Sequence, residues 1–565
     1  MKYYKTDTDW LGEAPLITSD MISEELEADV VIAGAGHAGL QAALAAAEEG
    51  ASVIVIESMN EEHYKVYGED IGVWNSKWLI DKGYGPYRTG DIVNEYFIRT
   101  GGRVNPELIR QYVQGSGEAF DHMVGLVERE SGRSFDEVFK YGSGDDGELI
   151  VHVQKDVEQY PIELGGFRTW AGAVQFVGEI THEPIRGCAA HSKLNNFMLY
   201  AVNESKRLGA CWRYSTLAVE LVQNENGDVT GVIAQDKKDR HYIKINAKKA
   251  VLVSTGDFAS DKKMCTALLT EAAEWAERFG DDSVKGPGRN GSGHKMCCWA
   301  GGTIEPSPRP VMNLGGGPQA PWGMGPMLML NSDGKRFSNE AAQAVIMGAV
   351  ARQPRGLIAG ITDADYMRSV VIAGIEHGAP NYGRPVYYEE LEDDIREAVK
   401  EENRQKALTE GITCRGTFVI ERNPSKVYVA DTLDELLKAL GYDDAAAKTA
   451  LEQIAHYNEL CHKGEDIDFG KDQIAMIPIE KAPFIGVKGE NKGQKNIGLV
   501  TLAGLETDDK MNVIRPDGTK IKGLYVAGNT LGGRFGIGYA TPTAGTSIGM
   551  AMTHGRIVGK TMAAL

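Results

Sequence analysis

Apolar and polar positions follow different rhythms in different parts of the chain. Asp29-Val-Val-Ile-Ala33 is a continuous apolar run behind an acidic lead, the pattern of a strand buried on both faces. Leu40-Gln-Ala-Ala-Leu-Ala-Ala-Ala-Glu-Glu49 is built from strong helix formers, and Gly50 stops it. A second buried strand, Ser52-Val-Ile-Val-Ile56, ends on Glu57. At the far end, Val513 to Gly518 predicts a strand and turn, Ile521 to Val526 a short strand, and Met550 to about Leu565 a closing helix. Between them, helical stretches run from Tyr388 to about Gln405, Thr432 to about Leu440 and Asp444 to about His462, separated by Gly/Pro breaks or short polar turns.

Two glycine-rich loops sit where strands feed helices. Gly34-Ala-Gly36-His-Ala-Gly39 has the spacing of a dinucleotide-binding loop. Gly34 permits a tight turn, Gly36 lets the backbone approach a pyrophosphate, and Gly39 lets helix and strand pack closely. The helix start then offers free N–H groups and a partial positive charge. Glu57, about 20 residues on, can accept both ribose hydroxyls, and its charge disfavours a 2′-phosphate and hence NADP. The second loop carries Gly528-Asn529, Gly532-Gly533, Gly536, Gly538, Tyr539 and then Pro542-Thr-Ala-Gly545-Thr-Ser-Ile-Gly549. Two such loops about 500 residues apart suit one long dinucleotide held across a discontinuous domain.

The 565 residues suffice for more than one domain, and the hydrophobic content of 42% is that of a globular protein. A net charge of −19 argues against nucleic-acid or anionic-lipid partners. No apolar run reaches the ~18 residues of a membrane span, and Met1 to Asp29 lacks a signal-peptide pattern, so a cytoplasmic protein is expected. The seven cysteines, among them adjacent Cys297 and Cys298, form no C-x-x-C pair. Zinc, iron–sulfur and c-type haem spacings are therefore missing, and no metal is expected.

Five blocks in order carry a family resemblance. Asp29–Glu57 is the first, and Gly227 to Gly231 with Ala247 to Phe258 the second. Gly291-Ser-Gly293-His-Lys-Met296, Asp333-Gly-Lys-Arg-Phe337-Ser-Asn-Glu340 and Gly523-Leu-Tyr-Val-Ala-Gly528 complete them. Together they resemble the FAD-binding-2 superfamily of fumarate reductase and succinate dehydrogenase flavoproteins, urocanate reductases and 3-ketosteroid dehydrogenases. The resemblance implies an α/β fold: a discontinuous, Rossmann-like FAD domain of the glutathione-reductase type with an inserted α+β capping domain. The expected limits are 1–305 and 481–565 for the FAD domain and 306–480 for the cap. It further implies that Gly34, Gly36, His37, Ala38 and Gly39 hold the pyrophosphate and that Glu57 and Ser58 hold the adenosine ribose. Gly68, Gly72, Ala218, Thr255, Gly256, Gly528, Asn529, Gly545, Thr546, Ser547 and Ile548 complete the FAD site. No histidine matches a covalent attachment point, so non-covalent FAD is expected.

Several positions depart from that pattern. Carboxylate-reducing relatives carry a histidine and an arginine that clamp the substrate; Leu499 to Leu505 has no histidine, and Arg534 is at the wrong offset. A dicarboxylate needs fixed cationic forks, so fumarate is disfavoured. The loop from Tyr539 to Gly555 instead resembles the ketosteroid dehydrogenases, where a tyrosine polarises a substrate carbonyl. The usual proton-donor position holds Ala344 beside Gln343. Arg368 and Tyr366 fall near the position of a cap arginine and are further catalytic candidates. Lys65 to Ser76 brings Tyr67, Glu69, Asp70 and Trp74, whose rings either face a flat substrate or pack the core.

The expected function is hydride transfer between flavin N5 and an activated C–C bond of a neutral or weakly charged enone, a steroid or plant phenolic, with reductive dehydroxylation as a variant. The alternatives are a reductase of a small unsaturated carboxylate and a flavin electron carrier without substrate. An external electron donor or acceptor, NADH or a redox protein, is required because no haem or iron–sulfur spacing is present.

Overall fold

The computed structural model describes residues 8–142, 149–151, 160–176, 194–280, 284, 286, 288–312, 320–321, 327–341, 348–372, 385–414, 425–492 and 500–565. Cys188, Gln343, Ala344 and Leu499 lie outside them.

The apolar run Val30–Ala33 becomes the end of a longer strand, Ile22–Ala33. It pairs in parallel with Val53–Ile56 on one side, Val30 opposite Val53 and Ala33 opposite Ile56, and with Tyr242–Val253 on the other. The sheet runs Asn512–Ile514, Lys520–Val526, Tyr242–Val253, Ile22–Ala33, Val53–Ile56, Cys211–Arg213. Thr216–Gln223 and Val229–Asp236 join it through Tyr242–Val253. Its central residues are buried on both faces, which is why they read as unbroken apolar runs rather than alternating ones. Lys520–Val526 completes this sheet from the far end of the chain, so the FAD domain is discontinuous.

Two helices lie against each other on this sheet. His37–Glu48 follows the first strand, and Thr546–Ala563 ends the chain. Small residues set how closely they approach. A Cβ on Gly555 would fall 2.3 Å from the Ala38 carbonyl oxygen, and one on Gly559 2.5 Å from that of Ala42. The last helix begins at Thr546, four residues before the expected Met550. It starts there because Gly545 adopts a left-handed turn and its carbonyl accepts the Gly72 N–H at 2.9 Å, a tertiary contact without a local sequence signal.

The cap is a five-stranded antiparallel sheet, Leu328–Leu330, Gly356–Thr362, Phe484–Asn491, Ser425–Ala430 and Ile412–Cys414. Helices Pro385–Ala398, Leu433–Leu440 and Asp444–Lys463 accompany it. The first ends at Ala398, short of the expected Gln405, and a separate helix starts at Arg404, whereas the last two lie close to their expected spans. Thr432 and Asp443 cap the latter two, and Gly441 and Gly464 close them, so their limits are encoded locally. The expected cap boundary at 480 is too early: Phe484–Asn491 pairs with Gly356–Thr362 and Ser425–Ala430 inside the cap sheet. Arg336 is buried between Glu340 and Asp466, with nitrogen–oxygen distances of 2.7 to 3.0 Å, which ties the start of the cap to its last turns.

The helix contact predicts a graded defect. Gly555→Val would drive a branched side chain into the backbone of the first helix, at a cost of about 1–3 kcal/mol or more. The thermal unfolding midpoint is expected to fall by several degrees; an unchanged midpoint would show that the helices can separate freely.

Candidate FAD and substrate site

The expected adenosine half lies on the first strand–helix turn. Gly34 has φ +94°, and a Cβ there would meet the Ser254 carbonyl oxygen at 2.7 Å. A Cβ on Gly39 would lie 2.0 Å from the Gly34 carbonyl oxygen, so this position holds helix against turn. Gly36 differs: a Cβ there would meet nothing within 4 Å. Gly36 is also the N-cap of His37–Glu48, and no side chain caps it. Unused helix N–H groups therefore face open space, as an anion cradle requires. His37 Nε2 lies 2.8 Å from the Tyr67 carbonyl oxygen, while Nδ1 is buried without a partner among the described residues. Burial pulls the His37 pKa down, which favours a neutral ring.

Glu57 is buried at the end of its strand and accepts the Ala35 N–H at 3.0 Å and the Met59 N–H at 2.7 Å. These two bonds hold its carboxylate in one orientation. Ser58 donates to it at 3.3 Å and helps line a cavity of about 410 Å³ with Asn60, His63, Ser215 and Lys237. Ala218 is buried in the neighbouring strand, two residues beyond Thr216, whose N–H donates to the Glu57 carbonyl.

The other half is assembled from distant segments. Thr255 and Gly256 leave the strand Tyr242–Val253, and the Gly256 carbonyl accepts the Thr530 hydroxyl at 3.0 Å. Gly528 presses on the first helix, where its Cβ would stand 3.3 Å from that of Ala38. Asn529 Oδ1 accepts Ser547 Oγ at 3.4 Å and Arg534 Nη2 at 3.0 Å. Gly545 is the N-cap of the last helix and, like Gly36, has no side-chain cap. Gly68 and Gly72 run beside that helix start; a Cβ on Gly68 would strike Ile548, and one on Gly72 would lie 3.0 Å from Thr546 Cα. The Thr546 hydroxyl lies 3.0 Å from that of Tyr96.

Tyr539 stands at this helix start. Its hydroxyl accepts the Ser547 N–H at 3.3 Å, and its ring lies 5.3 Å from that of Phe535. Burial, then the charge of Asp70, pushes its pKa up, so the phenol keeps its proton. Asp70 itself is pushed up to about 7, by burial first and the Glu69 carboxylate second. The loop carrying Tyr539 is pinned from behind: buried Arg99 donates to the Thr541 carbonyl at 3.0 Å, and the Trp170 N–H to that of Pro542 at 3.1 Å.

Not every candidate gathers here. Arg368 is largely exposed, 3.9 Å from Asp365, and Tyr366 packs against a buried cluster of the cap; neither is brought to Tyr539. Trp74 is fully buried, edge-on to Trp170 at 6.2 Å, so it packs the core instead of facing a ligand. The segment Val500–Leu505 is stitched to the FAD domain: buried Asp257 accepts the Thr501 N–H at 3.1 Å and Glu305 the Gly504 N–H at 2.8 Å. Glu305, raised to about 7 mainly by burial, and fully buried Arg534 lie beside these residues, bonded to Gly533 and Asn529 respectively, and neither carries a motif signal.

Two helix starts with glycine at the N-cap, a buried and oriented Glu57 carboxylate and an open Gly36 fit a dinucleotide. The sequence model described as FAD binding domain matches residues 29–548. The chain belongs to the FAD-binding-2 family. It is 23% identical to a vinyl phenol reductase of Lactiplantibacillus plantarum over 94% of this chain and 95% of that one. It is 24% identical to a fumarate reductase (cytochrome) of Shewanella frigidimarina over 94% of this chain and 76% of that one. Its fold is similar to that of 3-ketosteroid-Δ4-(5α)-dehydrogenase from Rhodococcus jostii RHA1, with a TM-score of 0.65, 20% identity and coverage of 96% of this chain and 98% of that one. Like other members of the FAD-binding-2 family, the protein is an FAD-dependent oxidoreductase acting on carbon–carbon double bonds or their reduced CH–CH counterparts. Among the described residues no helix is long and apolar enough to cross a membrane, and no cluster of His, Cys, Asp and Glu could hold a metal.

The open face of Gly36 separates binding from folding. Gly36→Val is expected to abolish FAD binding while the apoprotein unfolds at the wild-type temperature. Normal flavin occupancy in the purified variant would refute the pyrophosphate role.

Proposed function

We propose that the protein reduces or forms an activated C–C double bond in a neutral or weakly charged enone-type substrate, a steroid or plant phenolic, with Tyr539 polarising the conjugated oxygen. The observation that carries this reading is the hydrogen bond from the Ser547 N–H to the Tyr539 hydroxyl at the start of the last helix. A phenol accepting from a helix N-terminus is a stronger donor to a developing oxyanion, because the dipole stabilises charge drawn onto it. Bound FAD supplies the chemistry of hydride exchange with a substrate carbon. Asp70 is the acid that can hold the accompanying proton near neutral pH, in place of the donor missing from its usual position. A dicarboxylate finds no histidine at Val500–Leu505, whose Thr501 and Gly504 N–H groups are already bonded to buried acids. The relative from L. plantarum is named for a vinyl phenol, a neutral aromatic alkene, which supports the same substrate class. Electrons come from an external donor, NADH or a redox protein.

We further infer that FAD is held without a covalent bond, as the sequence lacks a matching attachment histidine. Acid precipitation should leave the yellow colour in the supernatant; colour retained in the pellet would show covalent attachment.

Anaerobic reoxidation of the dithionite-reduced enzyme by steroid, flavonoid, cinnamate, urocanate and fumarate acceptors tests the substrate class. Reoxidation by fumarate alone would overturn it. With the best acceptor, Tyr539→Phe should lower turnover about a hundredfold, as loss of an oxyanion donor does. As a proton donor, Asp70 is active when protonated, so reductive turnover should be full below pH 7 and fall above it. Glu69, Tyr539 and, beyond Gly72, Tyr112 are the titratable groups around it, while the paired strand brings neutral Gln175. Asp70→Asn should remove that inflection; an inflection that survives belongs to another group, such as Glu305.

A further inference from the structure

Arg534 is 1% exposed, and its guanidinium donates to two neutral oxygens: Nε to the Leu531 carbonyl at 2.9 Å and Nη2 to Asn529 Oδ1 at 3.0 Å. Nη1 is buried and has no partner among the described residues. No carboxylate forms an ion pair with Arg534 there. The nearest acid in effect, Glu305, spends its two oxygens on the Gly504 and Gly533 N–H groups, both at 2.8 Å. A buried cation with an unused donor costs several kcal/mol unless a ligand completes its shell. Burial pulls its pKa down to about 10, so the charge remains at neutral pH.

The position of this cation decides what completes it. Asn529 also accepts the Ser547 hydroxyl, and the Ser547 N–H meets Tyr539, so Arg534 is two hydrogen bonds from the uncapped start of the last helix. His294 and His554 feel its charge, and burial holds both near 4, so both are neutral and offer no competing charge. Arg534 therefore stands behind the flavin half of the site as its unneutralised positive group.

We propose that Arg534 is a cofactor-binding residue, whose Nη1 donates to bound FAD and whose charge favours the reduced, anionic flavin over the oxidised one. This assignment rests on FAD binding alone and holds whatever the substrate. It gives the enzyme a flavin that is readily filled by an external donor, as a reductase needs.

The test is the two-electron reduction potential of the loaded protein, read against a redox dye at equilibrium. Arg534→Gln should weaken the preference for reduced flavin about tenfold, which for a two-electron couple is a potential about 30 mV lower. Arg534→Lys, which keeps the charge, should stay close to wild type. An unchanged potential in loaded Arg534→Gln overturns the proposal. Should the Gln variant not take up FAD, the Lys variant decides: loading restored by charge supports the contact, and a Lys variant that also stays empty assigns Arg534 to core packing instead.

Discussion

The close packing of the last helix on the first is the contact on which the rest of the site depends. Each helix start carries a partial positive charge of about half a unit that fades within one turn. Two such starts serve a single dinucleotide only if their axes are held near each other along a fixed face. Gly555 and Gly559 do this by bringing the last helix within backbone contact of Ala38 and Ala42. The parallel strand Lys520–Val526 then delivers the chain to Gly528, which presses on the same first helix. Side chains larger than hydrogen at these positions would spread the two starts and, with them, the two ends of the proposed dinucleotide cradle.

Buried charge is handled in two opposite ways in the two domains. In the cap, Arg336 meets Glu340 and Asp466 through four hydrogen bonds, and Lys471 adds a second cation 3.2 Å from Glu340. These pairings pull Asp466 down to about 2, so the group stays ionised and closed at any physiological pH. Such a cluster holds loops together and has nothing left for a ligand. In the FAD domain, Arg534 has neutral partners, Glu305 is raised to about 7, and burial lowers His294 to about 4. Incomplete satisfaction of this kind is costly in a core that has no further partner to add. It is tolerable where a large polar cofactor is part of the folded state.

What could be read along the chain was local. The first turn, its helix and strands, and the cap helices with Thr432 and Asp443 at their starts are specified by residues within a few positions of one another. What could not be read depends on distant partners. Phe484–Asn491 joins the cap because Gly356–Thr362 lies open beside it, and no periodicity in residues 484–491 names that partner. Thr546 starts its helix because Gly72 holds Gly545 in place. Trp74 and Arg368 carry chemically suggestive side chains, yet one is sealed against Trp170 and the other faces solvent. Asp70 and Arg534 gain their character from burial, which a residue type does not announce.

Ser547 shows why binding and chemistry at this site are hard to separate. Its hydroxyl donates to Asn529, the neighbour of Arg534, and its N–H donates to Tyr539. In the proposed function the same helix start would therefore serve the cofactor through one side chain and the substrate oxygen through another. On the proposed reading, charge developing on a substrate carbonyl would be drawn toward Tyr539, and charge on reduced flavin toward the helix start and Arg534. Both would draw on one fixed dipole, so the proposed arrangement would favour negative charge at this helix start. A substrate with its own negative groups would compete for those donors. A neutral one leaves them aimed at the atoms where charge appears only as the reaction proceeds.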